Sequence, residues 1–84
     1  MNLDARERAV MAKRSIQFVN GVAKIGSKYF DDGGKAMVLL EPNYMNINKQ
    51  YFSVRVLFDD LTSKTICTRA RLLRALEIAD AFLQ

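Results

Sequence analysis

The side chains with chemistry to offer are cations, carboxylates and a few tyrosines, because the usual catalytic instruments are missing. The 84 residues include no histidine and a single cysteine, Cys67. No Ser-His-Asp or Cys-His pair can be assembled, no disulfide can close within the chain, and no multi-cysteine or histidine zinc site exists. A lone thiol on an expected strand, with no base beside it, reads as a packed side chain rather than a nucleophile. General acid–base work would fall to Asp, Glu, Lys or Tyr alone. The chain is therefore read as a non-catalytic binding protein that needs no cofactor. Asp31-Asp32 and Asp59-Asp60 offer paired carboxylates of the kind that hold Mg²⁺. Both pairs stand in turn contexts, where Asp is favoured for local hydrogen bonding, and no metal is expected. Asp31-Asp32-Gly33-Gly34-Lys35 lacks the longer spacing and the following Ser or Thr of a Walker loop.

The cations are the sharper signal. Lys64, Arg69, Arg71 and Arg74 gather where the last helix is expected to begin. Bases at a helix N-terminus run against its dipole, and beside free backbone N–H groups they attract phosphate or a carboxylate-rich partner. The plainer alternative is a solvated face on which these arginines pair with Asp59, Asp60 or Glu77. Arg6, Arg8, Lys13 and Arg14 form a second basic group near the N-terminus. Residues 1–30 hold six bases and two acids, residues 31–60 three and five, and residues 61–84 four and two. Both ends are basic around an acidic middle, and helices on one side of a sheet would join them into one patch for nucleic acid. Tyr44, Asn46, Asn48, Lys49, Gln50 and Tyr51 add rings, amides and a base in one span, with Tyr29 and Phe30 as further rings. Such mixtures stack bases and track a backbone in single-strand binders, although Asn also serves turns and rings also serve packing.

These residues need elements to hold them. Asp4 to about Arg14 is rich in helix formers, with Asp4 as cap and Glu7 as its capping-box partner. From Ser15 onward, an apolar stripe permits the helix to continue to Phe30, against the cost of Gly21 and Gly26. The favoured reading is a hairpin turning at Asn20-Gly21. It sets Val19 opposite Val22, Phe18 opposite Ala23, Gln17 opposite Lys24 and Ile16 opposite Ile25. A turn at Asp31–Gly34 precedes a buried strand from Lys35 to Glu41, before Pro42. Asn43–Gln50 reads as a loop or the ragged end of a long hairpin. Tyr51 to Phe58 alternates, with Phe52, Val54, Val56 and Phe58 on one face. Lys64–Cys67 is a short strand, and Thr68 caps a helix to about Leu83 that buries Leu72, Ala75, Leu76, Ala79, Phe82 and Leu83.

The expected architecture is one small α+β domain spanning residues 1–84. A short N-terminal helix leads into an antiparallel meander of four to five strands, and a C-terminal helix packs on the sheet. Half of the residues are apolar and only one is proline, as suits a globular chain. The N-terminus carries Asp4 and Glu7 and lacks the apolar stretch of a signal peptide. No apolar run exceeds Ala36–Leu40, so no membrane association is expected. The single cysteine suits a reducing cytoplasm.

The order of helix, three strands and helix is loosely similar to that of double-stranded-RNA-binding domains, whose last helix opens with a Ser and a Lys pair. Thr68-Arg69-Ala70-Arg71 stands in that place, no glycine pair precedes it, and Glu77 falls where a small residue is expected. Meander-then-helix order is also similar to single-strand-binding coactivator folds. Neither match reaches motif level, and no residue role is carried over. The expected function is contact with nucleic-acid phosphates by Lys64, Arg69, Arg71, Arg74, Arg6, Lys13, Arg14 and Lys49, with Tyr44 and Tyr51 as stacking rings. The alternative is a protein-interaction or inhibitor module: a homodimer, a binder of an acidic protein surface, or a small phage-like protein that blocks a host factor.

Overall fold

A computed structural model describes all 84 residues. Its elements are α1 (Ala5–Lys13), β1 (Ala23–Tyr29), β2 (Lys35–Asn46), β3 (Lys49–Phe58), β4 (Ser63–Ala70) and α2 (Leu72–Leu83). The strands form one antiparallel sheet in the order β1-β2-β3-β4, and α2 lies across all four. The architecture is the expected α+β meander, with four strands.

Alternation builds the core. Ala36, Val38 and Leu40 of β2 and Phe52, Val54 and Val56 of β3 point to one face, where they meet Leu72, Ala75, Leu76 and Ala79 of α2. Each large side chain buried there contributes about 1.5–3 kcal/mol. Alanines at positions 23, 36, 75 and 79 are fully buried and let the helix lie close to the sheet. α1 joins more lightly, through the partly buried Val10 and Met11. Its capping box is formed: Asp4 Oδ1 accepts the Glu7 N–H at 2.8 Å, and Glu7 Oε1 accepts the Asp4 N–H at 3.0 Å.

The favoured end of the first helix near Arg14 holds, and three other sequence expectations need correction. The alternative in which that helix runs on to Phe30 is not realised: it stops at Lys13, and Ser15 takes a left-handed φ of 55°. Asn20 and Gly21 do make a turn, with φ of 53° and 79°, and Val19 and Val22 exchange two hydrogen bonds. The hairpin ends at that single pair, so Phe18/Ala23, Gln17/Lys24 and Ile16/Ile25 do not form. Phe18 instead stacks on Phe52 at 6.1 Å, which draws its segment off the sheet and over the core.

β2 does not stop at Glu41 but continues to Asn46. β1 pairing ends at Ala23↔Leu40, so Pro42 has a neighbour only in β3 and removes no ladder bond on the other side. Asn43–Gln50 is thus the far end of a long hairpin. Finally, β4 runs to Ala70, which pairs with Phe52, and Thr68 lies in that strand instead of capping α2. The Thr68 carbonyl accepts the Asn43 side-chain amide across the sheet. α2 begins only at Leu72, whose burial anchors its first turn, with Arg71 at the N-cap.

Candidate functional site

Beyond the Pro42↔Phe52 pair, three further pairs carry the β2–β3 hairpin outward: Tyr44↔Tyr51, Met45↔Gln50 and Asn46↔Lys49. No other strand flanks them, and the N-terminal segment reaches their turn, where the Asn2 side-chain amide donates to Asn48 Oδ1 at 3.2 Å. A bulge at Asn43 marks its base. The buried Gln50 side chain spans the arm's base, its Nε2 donating at 3.0 Å to the carbonyls of both Tyr44 and Tyr51. That brace fixes the two tyrosines as a tilted pair with centroids 5.7 Å apart.

The tyrosines carry cations. The Arg69 guanidinium lies 3.9 Å from the Tyr44 ring centre, and the Arg71 guanidinium 5.9 Å from that of Tyr51. Stacking on a ring leaves the edge N–H donors of a guanidinium free to meet an anion. Arg69 and Lys49 are exposed and belong to none of the molecule's ion pairs.

Arg71 has a different occupation. It bonds Glu7 Oε1 at 3.2 Å and stands 3.6 Å from Asp4 Oδ2, while its Nε is enclosed without an acceptor. Glu7 is only 3% exposed. This ion pair ties the start of α2 to the start of α1, and Arg6 stands on the same rim. At the other end of the helices Arg14 grips Asp80 with two bonds of 2.8 and 3.0 Å. The bond from Asp80 raises the Arg14 pKa above its ordinary value, against an opposing desolvation. Start joined to start and end to end, the helices run the same way. Their aligned dipoles place both positive termini at the end that bears the arm.

The predicted site residues therefore divide. Tyr44, Tyr51, Arg69 and Arg71 come together at the arm's base, Arg6 stands beside Arg71, and Lys49 lies two pairs further out along the arm. Arg74 pairs with Glu77 at 3.2 Å on an exposed turn, and Arg14 is held by Asp80. Lys13 is exposed in the last turn of α1. Lys64 pairs with Val56 at the other end of β4, about 17 Å from Arg69 at the usual rise per residue. Of the three arginines expected in the first turns of the last helix, only Arg74 lies on it: Arg69 is on β4 and Arg71 is the cap, while Lys64 is on the preceding strand as expected.

The carboxylates gather at the far end. Phe30, Asp32, Phe58, Asp59 and Asp60 line one hollow between the two turns there. Asp32 accepts the Gly34 N–H and Asp59 the Lys35 N–H, each at 2.8 Å. Asp60 accepts the Thr62 hydroxyl at 2.6 Å and its N–H at 3.0 Å, and these two bonds hold its carboxyl below the usual range.

Sequence reasoning passed over the apolar tip of the arm, Met45 and Ile47. Their one signal was two apolar residues in an otherwise amide-rich run. No helix is long and apolar enough to cross a membrane. Compared with known families, curated proteins and solved structures, the chain matches none of them.

Proposed function

We propose that the chain is a non-catalytic nucleic-acid-binding module that presents its arm-bearing end to phosphates. The observation that carries this reading is the Arg69 guanidinium seated 3.9 Å over the Tyr44 ring, outside every ion pair. Lys49, in the arm's closing pair, and Arg6, beside Arg71, serve as further phosphate contacts, and the α2 N-terminus, with no acid in its first turn, adds positive potential at the same end. Asp31, Asp32, Asp59 and Asp60 stand at the opposite end, where they favour arm-first approach to a polyanion. Tyr44 and Tyr51 serve as the pedestal for Arg69 in this reading, because one ring face of Tyr44 is already taken. The reading needs no cofactor, and a reducing cytoplasm suits the free Cys67.

Fluorescence anisotropy on labelled single- and double-stranded DNA and RNA tests it. Binding is expected at low salt and weakens steeply as salt rises. Arg69→Ala and Lys49→Ala each reduce the salt slope by about 1, whereas Lys64→Ala, at the far end of β4, leaves it unchanged. No binding to any of the four at low salt overturns the proposal.

A second reading, a protein-interaction or inhibitor module, draws on the outer edge of β4, which has no strand beside it. It predicts a dimer in sedimentation, or a recovered protein partner, at salt that abolishes polyanion binding.

A further inference from the structure

The arm ends in a feature that phosphate contact leaves unused. Its turn is Ile47-Asn48, closing the Asn46↔Lys49 pair, and Ile47 holds φ at +53°. A side chain in the left-handed region costs roughly 1–2 kcal/mol, and Gly or Asn is the usual occupant. Ile47 gains no packing in return. It is 85% exposed, and Met45, two residues earlier, is 55% exposed. A strained turn that holds an apolar side chain out at the end of an arm is a cost to the isolated chain. Its surroundings are cationic, with Lys49 in the turn's closing pair and Arg69 at the arm's base.

We infer that Ile47, backed by Met45, is a wedge that the arm inserts between stacked base pairs of a B-form duplex. This rests on the nucleic-acid reading above. Shape selects the duplex first: three residue pairs beyond Pro42↔Phe52 extend about 10 Å at the strand rise. A two-stranded ribbon fits the major groove, about 12 Å wide, and one of that length reaches its floor, about 8.5 Å down. Ring availability selects it second. Single-strand binders stack bases on free aromatic rings, but Tyr44 is covered by Arg69 and leans on Tyr51. Aliphatic tips work instead by entering a gap between base pairs and kinking the helix. Charge selects it third, since Lys49 and Arg69 stand behind the tip, where the phosphates of an opened step come closest.

Two DNA duplexes test the wedge, one with end labels for energy transfer and one with 2-aminopurine beside a central TpA step, which opens easily. The full chain is expected to bend the first by roughly 20–90° and to raise the fluorescence of the second. Ile47→Asn suits the left-handed turn and removes the apolar side chain. It is expected to fold at least as stably as the native chain and to keep its salt slope while losing both signals. If the native chain binds duplex with neither bend nor unstacking, the wedge is overturned and the nucleic-acid reading stands. Retention of both signals by Ile47→Asn overturns it equally. If neither DNA nor RNA binds, both proposals fail. Binding to phosphatidylserine vesicles that Ile47→Asn abolishes, with no duplex signal, assigns the tip to lipid and overturns the wedge.

Discussion

Arg71 and Arg14 both join α1 to α2, yet their surroundings give them different weights. Arg71 faces the buried Glu7 carboxylate, whereas Arg14 and Asp80 meet in partial solvent with side chains 33% and 43% exposed. Removing Arg71 strands a buried charge, so Arg71→Ala is expected to cost about 1–3 kcal/mol. Arg14→Ala is expected to cost about 0.2–1 kcal/mol, the range of exposed pairs. Urea denaturation of the two variants checks the order, and equal losses would refute the assignment. The same residues mark what the sequence let one read. Asp4 and Glu7 stand three apart and announce their capping box. The Glu7–Arg71 pair spans 64 positions, and nothing local in either neighbourhood names the other.

At the scale of elements, periodicity decided what was legible. The alternation from Phe52 to Phe58 and the arc of Leu72, Ala75, Leu76 and Ala79 both read correctly, because each follows from one strand or helix facing one core. Boundaries were harder. Thr68 favours strands as readily as helix caps, and only the Ala70↔Phe52 pairing and the burial of Leu72 decide between them. Asn20-Gly21 announced its turn, but the pull of Phe52 on Phe18 determined how far the hairpin went. The arm turn is a case where local preference is set aside, since Ile47 occupies a position better suited to its asparagine neighbours. Ile47→Asn is therefore expected to stabilise the isolated chain by about 1 kcal/mol. In a domain of this size that raises Tm by about 4–8 °C. A calorimetric scan measures it, and an unchanged or lower Tm would show that the turn is unstrained.

Across the whole molecule, the four turn aspartates stand at the end away from the arm, with Lys35 and Lys64 among them, while Asp4 and Glu7 share the helix starts with Arg71. The arm, Arg69, Lys49, Arg6 and both helix starts occupy one end, while Asp31, Asp32, Asp59 and Asp60 occupy the other. The Debye length is about 8 Å at physiological salt and about 30 Å at 0.01 M, against a molecular length of 43 Å. Changing all four aspartates to Asn, which keeps the turn-forming oxygen, should leave duplex association unchanged at physiological salt and speed it at 0.01 M. Stopped-flow rates at the two salts check this, and equal acceleration at both would place the acids near the contact. The sequence by itself determined the class of fold, the capping of α1, the faces of β3 and α2, and the lack of histidine and paired-cysteine chemistry. Those properties reside in composition and in spacings of a few residues. Only the tertiary structure decided which cations stay free, that Lys64 stands apart from Arg69, and that the two helices point the same way. Such facts depend on which distant segments the sheet brings together, and no local spacing encodes them.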